Sequence, residues 1–140
     1  MESNNLNLQQ KLVQIRMQVK GYLKDVNPTA GVKYKSVSGA QIIGMIRAKM
    51  DELNVLLVPN ILSCTDTSFV QTTKYGERTM YIIKGQMEYQ WINGDNPNEV
   101  LNVKWFMSAA QDDIAKSIGS ALTYAERYFL MKFFQAPTDA

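Results

Sequence analysis

An alternation of apolar and polar side chains over residues 81–91 constrains the fold more than any other feature of this chain. The apolar members are Tyr81, Ile83, Met87, Tyr89 and Trp91, and the intervening residues are Ile82, Lys84, Gln86, Glu88 and Gln90. Successive side chains of a β-strand point to opposite faces, so this pattern predicts a strand with one buried and one solvated face. Such a strand requires a packing layer over its apolar face.

Two further strands flank this one along the chain. A strand over residues 57–70 leads through Thr73-Lys74-Tyr75-Gly76-Glu77, a hairpin tip, and a strand over 100–106 follows the turn at residues 93–98. Asn-Gly and Asn-Pro pairs in that second turn are strong turn formers. Short connections between consecutive strands predict an antiparallel three-stranded meander.

Helices are predicted before and after the strands. Apolar residues at three- and four-residue spacing predict a first helix over 8–24, followed by a break at Asn27-Pro28 and a short extended piece over 32–35. Ser38 and Gln41 form a capping box, with Val37 and Ile42 placed for a hydrophobic staple, so a second helix runs from there and ends near Asn54. The predicted class is α+β, with the order α-α-β-β-β-α and the sheet packed against helices.

The last helix opens at Asp112 or Asp113, extends to Gln135 and is stopped by Pro137. Its predicted core stripe comprises Ile114, Ile118, Ala121, Leu122, Ala125, Phe129 and Phe133. A second stripe, Lys116, Ser120, Thr123 and Arg127, lies on the opposite side at spacings of four, three and four. Two cations separated by hydroxyls suit a phosphate backbone, and the same spacing also fits an ordinary solvated helix face.

Composition excludes several classes of function. The chain has 140 residues, a net charge of +2, no histidine and one cysteine, Cys64. A zinc site, a Cys/His nucleophile pair and a disulfide framework are therefore excluded, and no phosphate-binding loop for ATP is present. We expect a single domain over 1–140 with residues 1–7 loosely ordered, no catalysis, no cofactor, no membrane segment and a cytoplasmic location.

Basic and aromatic residues are interleaved at three other places: Lys33-Tyr34-Lys35, Lys74-Tyr75 with Arg78, and Lys104-Trp105-Phe106. Cations track phosphates while aromatic rings stack on bases, so this combination suits single-stranded nucleic acid. Trp105 is in phase with Leu101 and Val103 and is better explained as core. Lys84, Gln86 and Gln90 line the wet face of the middle strand, which is either solvated or turned toward another subunit.

The last helix resembles a known family. Residues 116–128 read KSIGSALTYAERY, similar to the K-x-x-G-x-A-L-T-Y-A-x-R/K-Y pattern of the ERF (essential recombination function) family of phage single-strand annealing proteins. Further matches are Tyr34-Lys35, residues 56–59 (LLVP) and residues 91–97 (WINGDNP). The resemblance implies a β-β-β-α core similar to that of eukaryotic annealing proteins of homologous recombination.

The same resemblance implies ATP-independent binding of single-stranded DNA, strand annealing and assembly of copies into a ring or filament in a bacterial host cell. It places Lys74, Arg78, Lys116 and Arg127 near phosphates, and Lys116, Thr123, Tyr124 and Arg127 match the motif best. A phage exonuclease or a host single-strand-binding protein is the expected partner. Family members often continue into an acidic tail, so we expect a tail removed after residue 140 or a core-only member.

Two other functions remain open at this point. A β-β-β-α end also resembles a double-stranded RNA-binding module, which reads helix shape across minor grooves. A non-catalytic assembly domain without a nucleic-acid role is the third alternative.

Overall fold

The computed structural model describes residues 5–19, 23–27, 31–34 and 38–137. In chain order the described elements are α1 (Leu8–Arg16), β1 (Leu23–Asn27), β2 (Gly31–Tyr34), α2 (Gly39–Leu53), β3 (Val55–Thr73), β4 (Gly76–Asn93), β5 (Val100–Gln111) and α3 (Ile114–Phe133). β1 and β2 pair antiparallel, and the other strands form a separate sheet in the order β3-β4-β5. The predicted α+β class and α-α-β-β-β-α order are confirmed, with β1 and β2 as an added hairpin between the first two helices.

The first helix is much shorter than the predicted helix over 8–24. It is capped by Asn7 and Gln10 in a capping box and ends at Arg16, where the N–H groups of Gln18 and Val19 bond Ile15 and Arg16 in a tighter turn. Residues 23–27 instead pair with residues 31–34. The last two residues of the predicted helix, 23 and 24, belong to this hairpin instead, and the apolar spacing alone could not distinguish the two structures.

The second helix begins and ends where predicted. The Ser38 hydroxyl accepts a hydrogen bond from the Gln41 N–H at 3.2 Å, and the Gln41 side chain accepts one from the Ser38 N–H at 2.9 Å. Asn54 closes the helix in the left-handed conformation, at φ 58°. Val37, the other half of the predicted staple, lies outside the described residues.

The three-stranded sheet is longer than predicted but has the predicted turns. β3 has 19 residues and β4 has 18, and they are joined by the two residues Lys74 and Tyr75. In β4 the side chains of Ile83, Met87, Tyr89 and Trp91 are buried while Lys84 and Gln86 are exposed, which confirms the centre of the predicted alternation. The other members are half-buried: Tyr81, Ile82, Glu88 and Gln90. β5 continues past the predicted end at Phe106 to Gln111.

Asp113 rather than Asp112 caps α3: its carboxylate accepts from the Lys116 N–H at 3.0 Å, and its carbonyl accepts from the Ser117 N–H at 2.9 Å. The predicted core stripe is only partly right. Ala121, Ala125 and Phe129 are buried, but Ile114 and Ile118 remain 39% and 42% exposed. Fully buried Ser117 takes their place, because its hydroxyl donates to the Tyr81 carbonyl of β4 at 2.6 Å and so is satisfied inside the fold.

The chain comprises two compact units, each with its own buried residues. The helical unit contains Met1–Leu56, Trp91–Leu101 and Arg127–Ala140, and the sheet unit contains Leu57–Gln90 and Asn102–Glu126. In the helical unit, Trp91 is fully buried with its ring 6.2, 5.2 and 5.4 Å from the rings of Phe129, Phe133 and Phe134.

A polar network also lies inside the helical unit, at the turn between β4 and β5. Lys11 of α1 is completely buried, and its Nζ donates to Asn93 Oδ1 at 2.7 Å and to Asp95 Oδ2 at 2.6 Å. Glu99 in turn accepts from the Leu8 N–H at 2.7 Å and from Asn93 Nδ2 at 2.8 Å. This network holds α1 against the turn between β4 and β5, so the WINGDNP segment has a structural role.

Candidate nucleic-acid interface

The turn between β3 and β4 carries the most exposed aromatic ring among the described residues. Thr73 builds the turn: its hydroxyl donates to the Gly76 carbonyl at 2.7 Å and accepts from the Tyr75 N–H at 3.2 Å. Gly76 has a φ of +116°, which an L side chain rarely adopts. Tyr75 is left 89% exposed, and the Lys74 ammonium lies 5.0 Å from the centre of its ring. The turn thus presents a cation and a stacking surface together.

Arg78 extends this basic surface along the hairpin. Its Nε donates to Gln71 Oε1 on β3 at 3.0 Å, so the guanidinium lies across the two strands near the turn. α3 is joined to β4 through Ser117 and Tyr81, six residues beyond Tyr75. At roughly 3.3 Å per residue the turn stands about 20 Å from that junction. Lys74, Tyr75 and Arg78 lie together at this end of the hairpin, away from α3, and we call them the hairpin cluster.

Four predicted residues of α3 lie in the sheet unit. Lys116 and Thr123 are exposed, Tyr124 is 51% exposed and Ser120 is half-buried. No ion pair joins Lys116 to Asp112 within the described residues, although both are resolved and four positions apart. The turn of helix that carries Lys116 is fixed at Asp113, and the contact of Lys116 with DNA stays a prediction.

Arg127, the last member of the predicted stripe, lies in the helical unit and is half-buried. Its side-chain stem packs on Gly39, the first residue of α2: a Cβ at position 39 would fall 2.5 Å from Arg127 Cβ and 2.9 Å from its Cδ. Arg127 consequently has a packing role that its charge and spacing did not reveal. Its contact with DNA stays a prediction.

The Lys33-Tyr34-Lys35 segment is only partly described. Lys33 pairs with Asp25, and Tyr34 with Leu23, in the backbone register of the β1–β2 hairpin. Lys35 lies outside the described residues. The structure therefore assigns a backbone position to two members of this predicted group, and their role at DNA stays a prediction.

Lys104 is not brought together with the α3 residues. In β5 the even-numbered residues are exposed and the odd-numbered ones are half-buried or buried, and Ala109 accepts from Ser117 of α3. Lys104 consequently points to the face of the sheet opposite α3. A single sheet face cannot present Lys104 and Lys116 to one strand of DNA.

The opposite face holds a shallow depression that sequence reasoning did not identify. It has a volume of about 450 Å³ and is lined by Ser63, Thr65, Lys84, Gln86, Phe106 and Ser108, together with Gly85 and Met107. Phe106 is 64% exposed, while Trp105, on the other face, is half-buried with its ring 5.7 Å from that of Phe106. The exposure of Phe106 could have been predicted from the sequence, because the residue that follows an inward-pointing Trp105 in a strand must point outward.

One titratable group inside the sheet unit is strongly perturbed. Burial, reinforced by the nearby negative charge of Glu126, raises the pKa of Tyr89 to about 12. Its hydroxyl lies 3.9 Å from the Met87 sulfur, and the residue is 1% exposed. Tyr89 is therefore a neutral core residue at physiological pH and not a group for proton transfer.

Two further properties bear on the class of site. No described helix is long and apolar enough to cross a membrane. Over the part of the chain that the structure covers, no three His, Cys, Asp or Glu side chains cluster in a way that could hold a metal ion.

Comparison with known proteins identifies a family. No curated protein and no solved structure matches this chain significantly. The family model of the ERF superfamily, however, matches residues 8–140, nearly the whole chain. This range includes the hairpin cluster, the β4–β5 turn and all of α3, and so the chain belongs to the ERF superfamily.

Proposed function

We propose that this protein binds single-stranded DNA without ATP and anneals complementary strands, acting as an assembly of identical copies in phage recombination. Membership of the ERF superfamily fits a phage recombination annealing protein in general. The finer proposal depends most on one observation, the 89% exposed Tyr75 ring beside the Lys74 ammonium. An exposed ring beside a cation is the combination on which the bases of a single strand stack while the charge meets a phosphate.

The chemistry of the hairpin cluster suits single strands. Every base has a π-face, and stacking on an aromatic side chain contributes about 1–3 kcal/mol per base without a sequence requirement. Lys74 and Arg78 supply charges for the adjacent phosphates, and Arg78 is already oriented by Gln71. A duplex hides its base faces, so an exposed ring at a hairpin tip favours single strands over duplexes.

The α3 residues supply a second row of phosphate ligands in the sheet unit. Lys116 offers a cation, and the Thr123 and Ser120 hydroxyls can donate to phosphate oxygens. Tyr124, half exposed, adds a second ring. In this proposal the protein works in the cytoplasm of the host cell. Its partner in recombination is a phage exonuclease or a host single-strand-binding protein.

Annealing tests the proposal directly. Two complementary oligonucleotides, one with a fluorophore and one with a quencher, should anneal faster with the protein present and ATP absent. An unchanged annealing rate over a range of protein concentrations would refute the proposed function. Binding to labelled oligo(dT) should weaken steeply with salt, by about −0.7 in the log–log slope for each phosphate contacted.

The Tyr75 ring can be tested with a matched pair of variants. Tyr75→Ala should weaken oligo(dT) binding by about tenfold or more, because one stacking contact is lost. Tyr75→Phe keeps the ring and should bind within about twofold of the original. Equal binding by the two variants would exclude Tyr75 as a stacking residue.

Double-stranded RNA remains the alternative ligand. In competition against labelled oligo(dT), unlabelled duplex RNA should displace far less protein than unlabelled single-stranded DNA of equal length. Stronger displacement by duplex RNA would replace the proposed function with a duplex RNA-binding one.

A further inference from the structure

We propose that the open edge of β3 joins one copy of this chain to the next by pairing with the β5 edge of a second copy. This inference rests on the assembly in the proposed function and assigns its interface. β3 and β5 are the two outer strands of the β3-β4-β5 sheet, so each has a neighbour on one side only within the described residues. A sheet with two open edges can add strands at both.

Beyond Pro59, from Asn60 to the turn, the β3 edge lacks most of the features that protect natural edge strands. Proteins block such edges with short strands, bulges or charged side chains, especially Lys. β3 has 19 residues, and Asp66 is the only charged residue from Leu57 to Thr73. Every residue from 59 to 72 is exposed. An edge this long and uncharged is a template for another strand.

Apolar side chains emerge on both faces of β3. Four of them are between 44% and 59% exposed: Ile61, Leu62, Phe69 and Val70. Alternation places Ile61 and Phe69 on one face and Leu62 and Val70 on the other. A helix docked on β3 could cover only one face, whereas an added strand presents side chains to both. The occupant that fits is therefore a β-strand.

The backbone of β3 points alternate hydrogen-bonding groups to this edge. The two residues that flank a two-residue turn, here Thr73 and Gly76, form a hydrogen-bonded pair. Side-chain contacts show that the register continues along the strands, with Gln71 opposite Arg78 and Thr65 opposite Lys84. Odd-numbered residues near the turn thus direct their N–H and C=O groups to β4. Even-numbered residues, including Ser68, direct theirs outward.

The β5 strand of a second copy is the matching edge. Asn93 N–H donates to the Glu99 carbonyl at 3.1 Å where β5 begins, so odd-numbered residues face β4 and even-numbered ones, including Asn102, face outward. The 12 residues of β5 span about 40 Å, well within the length of β3.

Pairing β3 with β5 also explains how an assembly can exceed two copies. Pairing of β3 with β3 would be self-complementary and would stop at a dimer. Pairing of unlike edges leaves one free edge at each end and continues until a ring closes or a filament grows. The proposed function requires such propagation.

Proline substitutions test the two edges separately. Ser68→Pro removes an outward donor from β3, and Asn102→Pro removes one from β5, while the bonds to β4 remain. Each variant alone should stay small in light scattering, with its dissociation concentration raised at least about tenfold, whereas Ser68→Ala and Asn102→Ala should assemble like the original. Mixed in equal amounts, the two proline variants should form heterodimers, because each retains the edge that the other lacks.

The outcomes separate this inference from the proposed function. Normal assembly by folded Ser68→Pro overturns the β3 interface, and normal assembly by folded Asn102→Pro overturns the choice of β5. If circular dichroism shows that Ser68→Pro is unfolded, Val70→Glu replaces it in β3 with Val70→Thr as control; if Asn102→Pro is unfolded, Val100→Glu replaces it in β5 with Val100→Thr as control, and the same criteria apply. An original protein that assembles but does not anneal strands refutes the proposed function and leaves the interface standing.

Discussion

The contact between Gly39 and Arg127 predicts an unusually specific effect of one methyl group. A Cβ at position 39 would lie 2.5 Å from Arg127 Cβ, 2.8 Å from its Cγ and 2.9 Å from its Cδ. Ordinary carbon contacts are about 3.5–4.0 Å, so the start of α2 and the adjoining turn of α3 must separate by roughly 1 Å. Arg127 Cβ is part of the helix backbone geometry and cannot swing aside.

Gly39→Ala should therefore destabilise the protein. Overpacking of this kind costs about 1–3 kcal/mol, and the gain in helix propensity offsets at most about 1 kcal/mol of it. Gly44, in the same helix, has no atom within 4 Å of the corresponding position. Gly44→Ala should consequently stabilise the protein by about 0.5–1 kcal/mol.

Urea unfolding followed by circular dichroism measures both changes. The urea midpoint should be highest for Gly44→Ala, intermediate for the original protein and lowest for Gly39→Ala. A Gly39→Ala midpoint equal to or above the original would refute the close approach of the two helices. In an Arg127→Ala background, which lacks the Cγ and Cδ atoms, the cost of Gly39→Ala should shrink measurably.

Three other substitutions probe the buried polar groups. Tyr89→Phe should be more resistant to alkali, because the folded-state pKa of Tyr89, about 12, exceeds the unfolded value of 10. The original protein therefore loses about 2–3 kcal/mol of stability as the pH rises from about 10 to 12, and the variant does not. A variant that unfolds with the same pH dependence as the original contradicts this. Asp95→Asn should cost about 3 kcal/mol in urea unfolding because it leaves the completely buried Lys11 ammonium without its carboxylate partner, and Lys11→Met/Asp95→Asn should recover part of it; no recovery would count against the ion pair. Ser117→Ala removes the 2.6 Å hydrogen bond to Tyr81 and should lower the free energy of unfolding by about 1 kcal/mol, measured as a few degrees in Tm, with an unchanged Tm as the contrary result.

Local chemistry made several parts of the fold predictable. The Ser38–Gln41 capping box and the hairpin tip at residues 73–77 each depend on groups within three residues of one another. Such interactions are the same in any fold that contains the segment. The sequence was sufficient for these because no distant residue competes with them.

Longer-range packing decided the features that were predicted wrongly. Ile114 and Ile118 have the right spacing for a core stripe, but periodicity gives only the relative phase of a helix and not how much of it the sheet covers. Ser117 could not be predicted as buried, since its partners, Tyr81 and Ala109, lie 36 and 8 residues away. The helix predicted over 8–24 failed for the same reason, because pairing with residues 31–34 competes with it.

The candidate interface contains residues that also pack within the fold and residues that do not, and this difference matters for experiments on DNA binding. Arg127 matches the family motif, but its stem packs on Gly39, so its replacement changes helix packing as well as charge. Tyr75 matches no quoted motif, yet at 89% exposure it contributes almost nothing to packing. A loss of DNA binding in Tyr75→Ala would therefore report on the ligand contact itself, whereas the same loss on changing Arg127 would combine contact with fold. The position with the weaker sequence signal is the more decisive test of function.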